Sequence, residues 1–254
     1  MFNIKFLHEI RDWEIKQIIE LFPPNAKILE IGGGSGFQAK QLSDLGFEVI
    51  SIDLPSSNYA SERVFPVIEY DGNSFPFESE SFDVVFSSNV LEHIHDLEPI
   101  YNESKRVLKP DGYAIHIMPS GSWRFWTIIA NYIEYFQRIV KSLLKLLVNI
   151  LRNICHSIKN FFIEIIKLTI SYSIPSSHGG KNNAFFEIWT FSKRAWVNHF
   201  GRRQLRLESA KPMGLFYTGH MIFGKYLSIT KRSRWAKLLG SACIVYKISN
   251  SDKK

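Results

Sequence analysis

A chain of 254 residues that is 45% hydrophobic and 22% charged can build a real core in one or two domains, which excludes a disordered or fibrous polypeptide. Two cysteines, Cys155 and Cys243, are too few for a disulfide framework, and no cluster falls at metal-ligand spacing, so no metal is expected. The net charge of +7 hides a division, because residues 1–120 hold 9 basic and 19 acidic side chains whereas residues 121–254 hold 22 basic and 5 acidic. Such an asymmetry suggests that the second half meets an anionic surface, membrane or nucleic acid, more than it suggests a basic half docked on an acidic one. The opening MFNIKFLHEIRDWE brings in acids by Glu9 and has no long apolar run, so no secretory signal is expected and a cytoplasmic location is the default.

Residues 9–22 place Ile10, Trp13, Ile15, Ile18, Ile19 and Leu21 at mostly helical spacing before Pro23-Pro24 ends the element. The short apolar run Ile28 to Ile31 reads as a strand bounded by a glycine turn, and a helix from about Phe37 to Leu45 is closed by Gly46. FEVISIDL is a strand ending at Asp53, FDVVFS (82–87) is another, and Leu97 to Leu108 is a helix stopped by Lys109-Pro110-Asp111-Gly112. YAIHIM follows as a further strand. Alternating strands and helices imply βαβ units, a parallel sheet and a ligand site in the loops beyond the strand ends, here those after Ile31, Ile52, Tyr70 and Phe86.

The first of these loops reads Glu30-Ile31-Gly32-Gly33-Gly34-Ser35-Gly36. Glycines there allow a ligand to approach the backbone, although a lone G-x-G-x-G also fits purely structural turns. Asp53, at the end of the next strand, is placed to accept from both ribose hydroxyls of an adenosine cofactor, and Asp71 in Asp71-Gly72-Asn73 could accept from an adenine amino group or cap its own turn. Glu30 beside the glycines suits a cationic ligand better than a pyrophosphate. The implied ligand contains adenosine, lacks phosphate and carries an amino group.

ILEIGGGSG (28–36), VISIDL (49–54), YDGNSFPFESESFDVVFSSNVLEHIHD (70–96) and ESKRVLKPDGYAIHIMPS (103–120) together resemble the class I S-adenosylmethionine-dependent methyltransferases of the type 11 group. The resemblance implies S-adenosyl-L-methionine as cofactor, with Glu30, Gly32 and Gly34 around its methionine part and Asp53 on its ribose. It also implies Asp71 and Gly72 beside the adenine, and Asn89 and Val90 beneath the methionyl group. Gly33 and Gly36 read as turn and packing residues. Glu92, His93 and His95 fall at what should be a helix start, and His93 matches the family's L-E-H signature, as a general base or as a packed histidine at the pocket rim.

From Ser122 to Ile174 no glycine or proline interrupts the chain. Arg138, Lys141, Lys145, Asn149, Arg152, His156, Asn160, Glu164 and Lys167 recur at a mean step of 3.6, with a broad apolar face between them. Charges every turn or two exclude a transmembrane helix, and an interfacial helix over 124–170, flanked by Trp123, Phe125, Trp126, Tyr132 and Tyr135, fits better. A lid or an oligomer interface remains the alternative. SSHGGKNNAFFEIWTFSKRAWVNHF (176–200) is loosely similar to bacterial methyltransferases of surface-polysaccharide gene clusters. That likeness makes His178 the leading general-base candidate, with Glu187 to orient it, against the reading of a turn-forming histidine.

Leu205-Arg206-Leu207-Glu208 and Ala242 to Ile248 read as sheet-edge strands, and Lys225, Lys231, Arg232, Arg234 and Lys237 as a second basic patch around Trp235. The fold expected is α/β, a Rossmann-like doubly wound, mainly parallel sheet with antiparallel C-terminal strands and a long α-helical insertion. Its parts are a cofactor-binding core (1–120), the insertion (121–182) and a C-terminal part completing the sheet (183–254). The function expected is a methyltransferase for a saccharide or lipid-linked acceptor, working at the inner face of the cytoplasmic membrane. A quinone or isoprenoid-lipid methyltransferase, or a non-catalytic partner subunit, is the alternative. No nucleic-acid module is recognisable, and Ser87-Ser88-Asn89-Val90 stands where base N-methyltransferases carry Asn/Asp-Pro-Pro-Tyr/Phe.

Overall fold

A computed structural model describes residues 4–149, 154–179, 183–219 and 226–250. Seven strands form one sheet: β1 (Lys27–Ile31), β2 (Glu48–Asp53), β3 (Val67–Glu69), β4 (Phe82–Ser88), β5 (Leu108–Pro119), β6 (Leu205–Pro212) and β7 (Cys243–Asn250), in the order β3-β2-β1-β4-β5-β7-β6. The first five run parallel, and β7 inserts antiparallel between β5 and β6. The fold expected from the sequence is the fold observed. Strand order reverses between β1 and β4, so the loops after β1, β2 and β4 open onto one crevice, where a parallel sheet binds its ligands.

Successive residues of a strand point to opposite faces, and the two cores follow from that alternation. Leu29, Ile31 and Val85 face a layer with Tyr101, Trp196, Phe200 and Tyr246. Ile28, Val84 and Phe86 face the other layer with Ile10, Ile15, Ile18 and Leu42. Both faces are apolar because helices cover both. These helices include α1 (Ile4–Ile18), α2 (Phe37–Asp44), α3 (Glu98–Val107), α4 (Gly121–Asn149), α5 (Ile154–Ser173), α6 (Glu187–Thr190), α7 (Lys193–Arg202) and α8 (Ile229–Leu239). Ser192 and Ser228 cap α7 and α8 by accepting from Ala195 N and Lys231 N.

Several elements depart from the sequence reading. The first helix begins at Ile4, not near residue 9. Lys109-Pro110-Asp111-Gly112 does not separate helix from strand as a free turn, since β5 starts at Leu108 and absorbs the irregularity as a register shift against β4. Of the two C-terminal strands only β6 lies at the edge. Arg232 is not a surface charge. It is fully buried, with its guanidinium 4.7 Å from the Phe6 ring centre and Nε donating to Leu227 O at 2.9 Å, and burial lowers its pKa to about 10.

The insertion is a helical hairpin. Tyr135 Oη meets Thr169 Oγ1 at 2.9 Å, Ser142 Oγ donates to Glu164 at 2.8 Å, and Asn131 faces Tyr172, so α4 and α5 run antiparallel. The continuous 138–167 stripe is therefore folded back on itself. Its midpoint, Ile150, Leu151 and Arg152, lies outside the described residues, as do Gly180 and Lys225. The first turns of α4 bury Trp123, Arg124, Thr127, Ile128, Ala130 and Asn131 against the body, and beyond them only Ser142 is buried, while α5 buries nothing. At about 1.5 Å per residue, the 29 residues of α4 span roughly 43 Å, most of it standing off the sheet.

On α4, Phe125, Ile129, Ile133, Phe136, Val140, Leu144 and Leu147 are exposed at steps of three or four and so share one face. On α5, Ile154, Ile158, Phe162, Ile166 and Ile170 are exposed likewise. The seam between the helices is partly polar, through Tyr135, Ser142, Glu164 and Tyr172. Among the described residues no helix is long and apolar enough to cross a membrane.

Candidate active site

The chain leaves β1 into a turn whose first glycine has no room for a side chain. Gly32 sits at φ +72°, and a Cβ built there would lie 2.4 Å from Val90 Cγ2. Its N–H donates to Ile52 O at 2.8 Å, so the ends of β1, β2 and β4 are locked together at this point. Asp53, at the end of β2, accepts from Gly34 N at 2.9 Å and from Leu54 N at 2.8 Å, which fixes its carboxylate against the glycine turn. Glu30 is buried beneath the same turn. Burial, with Asp53 nearby, raises its pKa to about 7 against the 2.6 Å hydrogen bond it accepts from Ser51 Oγ.

Asp71 is exposed, and one oxygen accepts from Asn73 N and Ser74 N at 2.8 Å, which lowers its pKa. The turn-capping role is the one the structure displays. Gly72 packs beside Leu54, with 3.1 Å between a built Cβ and Leu54 Cδ2. Asn89 adopts φ +55°, unusual for a residue other than glycine. With its amide turned to face the guanidinium, its oxygen accepts from Arg11 Nη1 and Nη2 at 2.6 and 3.1 Å. Arg11 in turn pairs with buried Glu14 at 2.6 Å, and Glu14 accepts from Tyr217 Oη at 3.1 Å. Nothing in the sequence pointed to Arg11, because Asn89 lies 78 residues away and Tyr217, which holds the far side of Glu14, lies 206 away.

Leu91–His93 is a single 3-10 turn; the helix expected here starts only at Glu98. This turn buries the Glu92 side chain completely, and neither carboxylate oxygen has a hydrogen-bond partner among the described residues. Burial raises its pKa to about 8. His93 Nε2 is 3.7 Å and His178 Nε2 3.9 Å from Glu92 Oε1, and the two rings meet edge to face at 4.5 Å. His95 stays exposed on the way to α3. The fold thus joins His93 and His178, 85 residues apart, around a carboxylate that the sequence reading placed beside His93 without a role.

The 176–179 loop owes its position to Glu187. That buried carboxylate accepts from His178 N at 2.8 Å and Gly179 N at 2.9 Å and pairs with Arg124 Nε at 2.8 Å. Glu187 therefore orients the backbone of the loop, not the imidazole of His178 as expected. Gly179 presses its backbone onto the Glu92 turn, with a built Cβ only 2.5 Å from Glu92 O. The His178 ring packs edge-on to Trp123 at 4.6 Å and Phe191 at 6.3 Å. Burial, with His93, Arg124 and Arg11 nearby, lowers its pKa to about 4, so it is neutral at pH 7. Beside Glu92 opens a cavity of about 410 Å³, whose walls include Leu97, Glu187, Trp196, His199 and Arg203. Trp196 Nε1 is buried there without a hydrogen-bond partner.

The sequence showed no metal-ligand cluster, yet Glu92, His93 and His178 offer ligand atoms that all lie within 4.8 Å of one another. Spacing along the chain could not reveal a set assembled from two segments.

Comparison with known proteins agrees with the crevice. Residues 29–116 match the family model described as a methyltransferase domain. The chain is 27% identical over 129 residues to the ubiquinone biosynthesis O-methyltransferase of Bartonella tribocorum, covering 47% of this chain and 52% of that protein. It is 33% identical over 131 residues to phosphoethanolamine N-methyltransferase 2 of Caenorhabditis elegans, covering 46% and 30%. The chain spans about half the length of the first of these relatives and less of the second. A S-adenosylmethionine-dependent methyltransferase from Aquifex aeolicus superposes over 98% of this chain and 99% of its own, with a TM-score of 0.52 at 16% identity, which is a likeness of fold.

Proposed function

We propose that this chain is an S-adenosylmethionine-dependent methyltransferase that modifies a saccharide or lipid-linked acceptor at the cytoplasmic face of a membrane. The observation that carries the enzyme class is the locked crevice, where Gly32 abuts Val90, Asp53 is held at the turn and Glu30 is buried below it. The residues fit the cofactor. The glycine turn is bare backbone pressed onto Val90 and Ser51 at the strand ends, and a buried carboxylate raised to about 7 is released to its charged form by a cation. Glu30, Gly32 and Gly34 would hold the methionyl part, Asp53 the ribose, Gly72 the adenine edge, and Asn89 and Val90 the floor. When bound, S-adenosylmethionine supplies an electrophilic methyl group on a sulfonium.

The chain's own contribution is alignment, dryness and proton removal. Trp123 and Phe191 wall the side of His178 away from water. Arg11 fixes Asn89, and Glu187 fixes the loop that brings His178 to Glu92. The acceptor's proton goes to the neutral imidazole of His178, with Glu92 beside it to meet the charge that forms. The cavity beside them, with apolar Leu97 and Trp196 against polar His199 and Arg203, suits a ring bearing hydroxyls.

The hairpin supports the membrane part of the reading. Its described outer turns carry Arg138, Lys141, Lys145, Lys159 and Lys167 against Glu134 and Glu164, next to a broad exposed apolar face. Each basic residue near an anionic leaflet contributes about 1 kcal/mol. The loose likeness of residues 176–200 to enzymes of surface-polysaccharide clusters, noted in the sequence, favours a saccharide. The ubiquinone biosynthesis relative favours a second reading, a quinone-type lipid presented by the same surface.

Calorimetry with S-adenosylmethionine on the purified chain, repeated with liposomes present, tests both parts. Micromolar cofactor binding and association with anionic vesicles are expected. Absence of cofactor binding would overturn the enzyme class, and absence of vesicle binding the membrane site.

A further inference from the structure

From the side chains that converge on the Leu91–His93 turn, we infer that Glu92, His93 and His178 form a binding site for one divalent transition-metal ion. Its chemical role rests on the methyltransferase reading above; its existence does not. The donor set is one carboxylate and two imidazoles, a combination suited to first-row divalent cations, with coordination positions left open for a substrate. Glu92 Oε1 lies 3.7 Å from His93 Nε2 and 3.9 Å from His178 Nε2, and all three ligand atoms fall within 4.8 Å of one another. Bonds of about 2.0–2.2 Å set tetrahedral ligands about 3.3–3.6 Å apart, so the rings need only close in slightly.

A second observation points to a ligand at this place. The Glu92 side chain is completely buried, and among the described residues both its oxygens lack a hydrogen-bond partner. A buried carboxylate left so is costly unless something pairs with it. Among the described residues no cation pairs with it: Arg11, whose charge is felt at Glu92, is committed to Glu14 and Asn89, and Arg124 to Glu187. The imidazoles are of the right kind to answer it. Imidazole nitrogen is a donor that first-row divalent cations take readily.

The remaining structure holds the three donors in place. Gly179 could not approach Glu92 O with a side chain, and Glu187 clamps the N–H groups of His178 and Gly179. Trp123 backs the His178 ring at 4.6 Å. Glu92 also lines the cavity proposed for the acceptor, which puts the three donors at its edge. A cation there lowers the pKa of an acceptor hydroxyl. With the ion bound, Glu92 and His178 act as its ligands and not as the proton acceptor of the metal-free site: the hydroxyl proton leaves to solvent, the oxygen takes the methyl carbon, and the electron pair of the broken C–S bond stays on sulfur.

The test uses the full chain, stripped with a chelator and dialysed against Zn²⁺ alone, with bound metal measured by atomic emission and affinity by competition with a chromophoric chelator. One zinc per chain is expected. His178→Ala and Glu92→Gln should each weaken it at least about tenfold, the lower bound set by the loss of even an outer hydrogen-bond partner. If Glu92→Gln does not fold, His93→Ala carries the same expectation from a half-exposed ring. A Cys155→Ser/His156→Ala variant, which removes an exposed thiol and imidazole on the hairpin, should bind as the parent does. No bound zinc, zinc indifferent to His178→Ala, or zinc lost with Cys155 and His156 overturns the site. Cofactor calorimetry on the same samples separates the outcomes, because cofactor binding without zinc refutes only the metal, and zinc without cofactor binding refutes the enzyme class.

Discussion

Replacing Glu187 by glutamine keeps the shape of a buried side chain and removes its charge. Glu187 is 2% exposed and pairs at 2.8 Å with Arg124, itself 4% exposed, while its other oxygen accepts from the N–H groups of His178 and Gly179. Breaking a buried pair costs about 3–5 kcal/mol, because the surviving charge is left without compensation. Arg124 retains Ala184 O and Ser176 O as acceptors, which places the loss near the lower end, about 3 kcal/mol. For a chain of 254 residues, at about 2–4 °C per kcal/mol, the midpoint falls by about 6–12 °C. Thermal unfolding followed by circular dichroism measures it. Adding Arg124→Met should restore most of the loss, since the stranded cation is then gone and the glutamine oxygen still serves the loop. A single variant within about 1 kcal/mol of the parent, or a double variant no better than the single, refutes the reasoning.

Asp53→Ala should abolish measurable S-adenosylmethionine binding in calorimetry while the melting curve stays cooperative; unchanged affinity would detach Asp53 from the ribose. Glu30 keeps its proton in the folded chain up to about pH 7, whereas the unfolded chain releases it near 4.3. Between those values the folded state binds more protons, so its stability falls as pH rises and levels off above 7. Glu30→Gln should lack this decline and gain about 3 kcal/mol on the parent between pH 4 and 8, read from denaturant titrations. Cofactor affinity in the parent should rise over pH 6 to 8 as Glu30 ionises to meet a cation, and a flat profile would argue that Glu30 does not face it. Leu147→Glu with Phe162→Glu, both on exposed positions, should cut vesicle binding without lowering the melting point, and added salt should weaken parent binding to anionic vesicles. Equal binding by parent and variant would place the contact elsewhere.

Local pattern determined much of this protein. A run such as Ile28–Ile31 followed by Gly32-Gly33-Gly34 reads as a buried strand entering a tight turn, because apolar burial and backbone freedom act within a few residues of one another. The same locality made Asp53, at its strand end, and the helical content of 122–174 legible from the chain alone. It also misled. A polar step of 3.6 persists across a reversal of direction, so the period of the insertion was readable while its fold into a hairpin was not. The burial of Arg232 escaped for a related reason: a basic run looks the same whether or not one member finds carbonyls and the Phe6 ring to sit against.

What only the tertiary structure decided is the company each residue keeps across long separations. Sheet order brought Val90 to Gly32 and Asn89 to Arg11, and the hairpin with its following loop carried His178 onto Glu92. Glu187 changed from a partner of the imidazole into the clamp of a backbone turn, since its neighbours are fixed by α4 and not by the nine residues that separate it from His178. Sequence encodes what a residue can do over the span of a turn or a helix. Which buried carboxylate lacks a partner, and which histidines stand beside it, depends on how distant segments exclude water together.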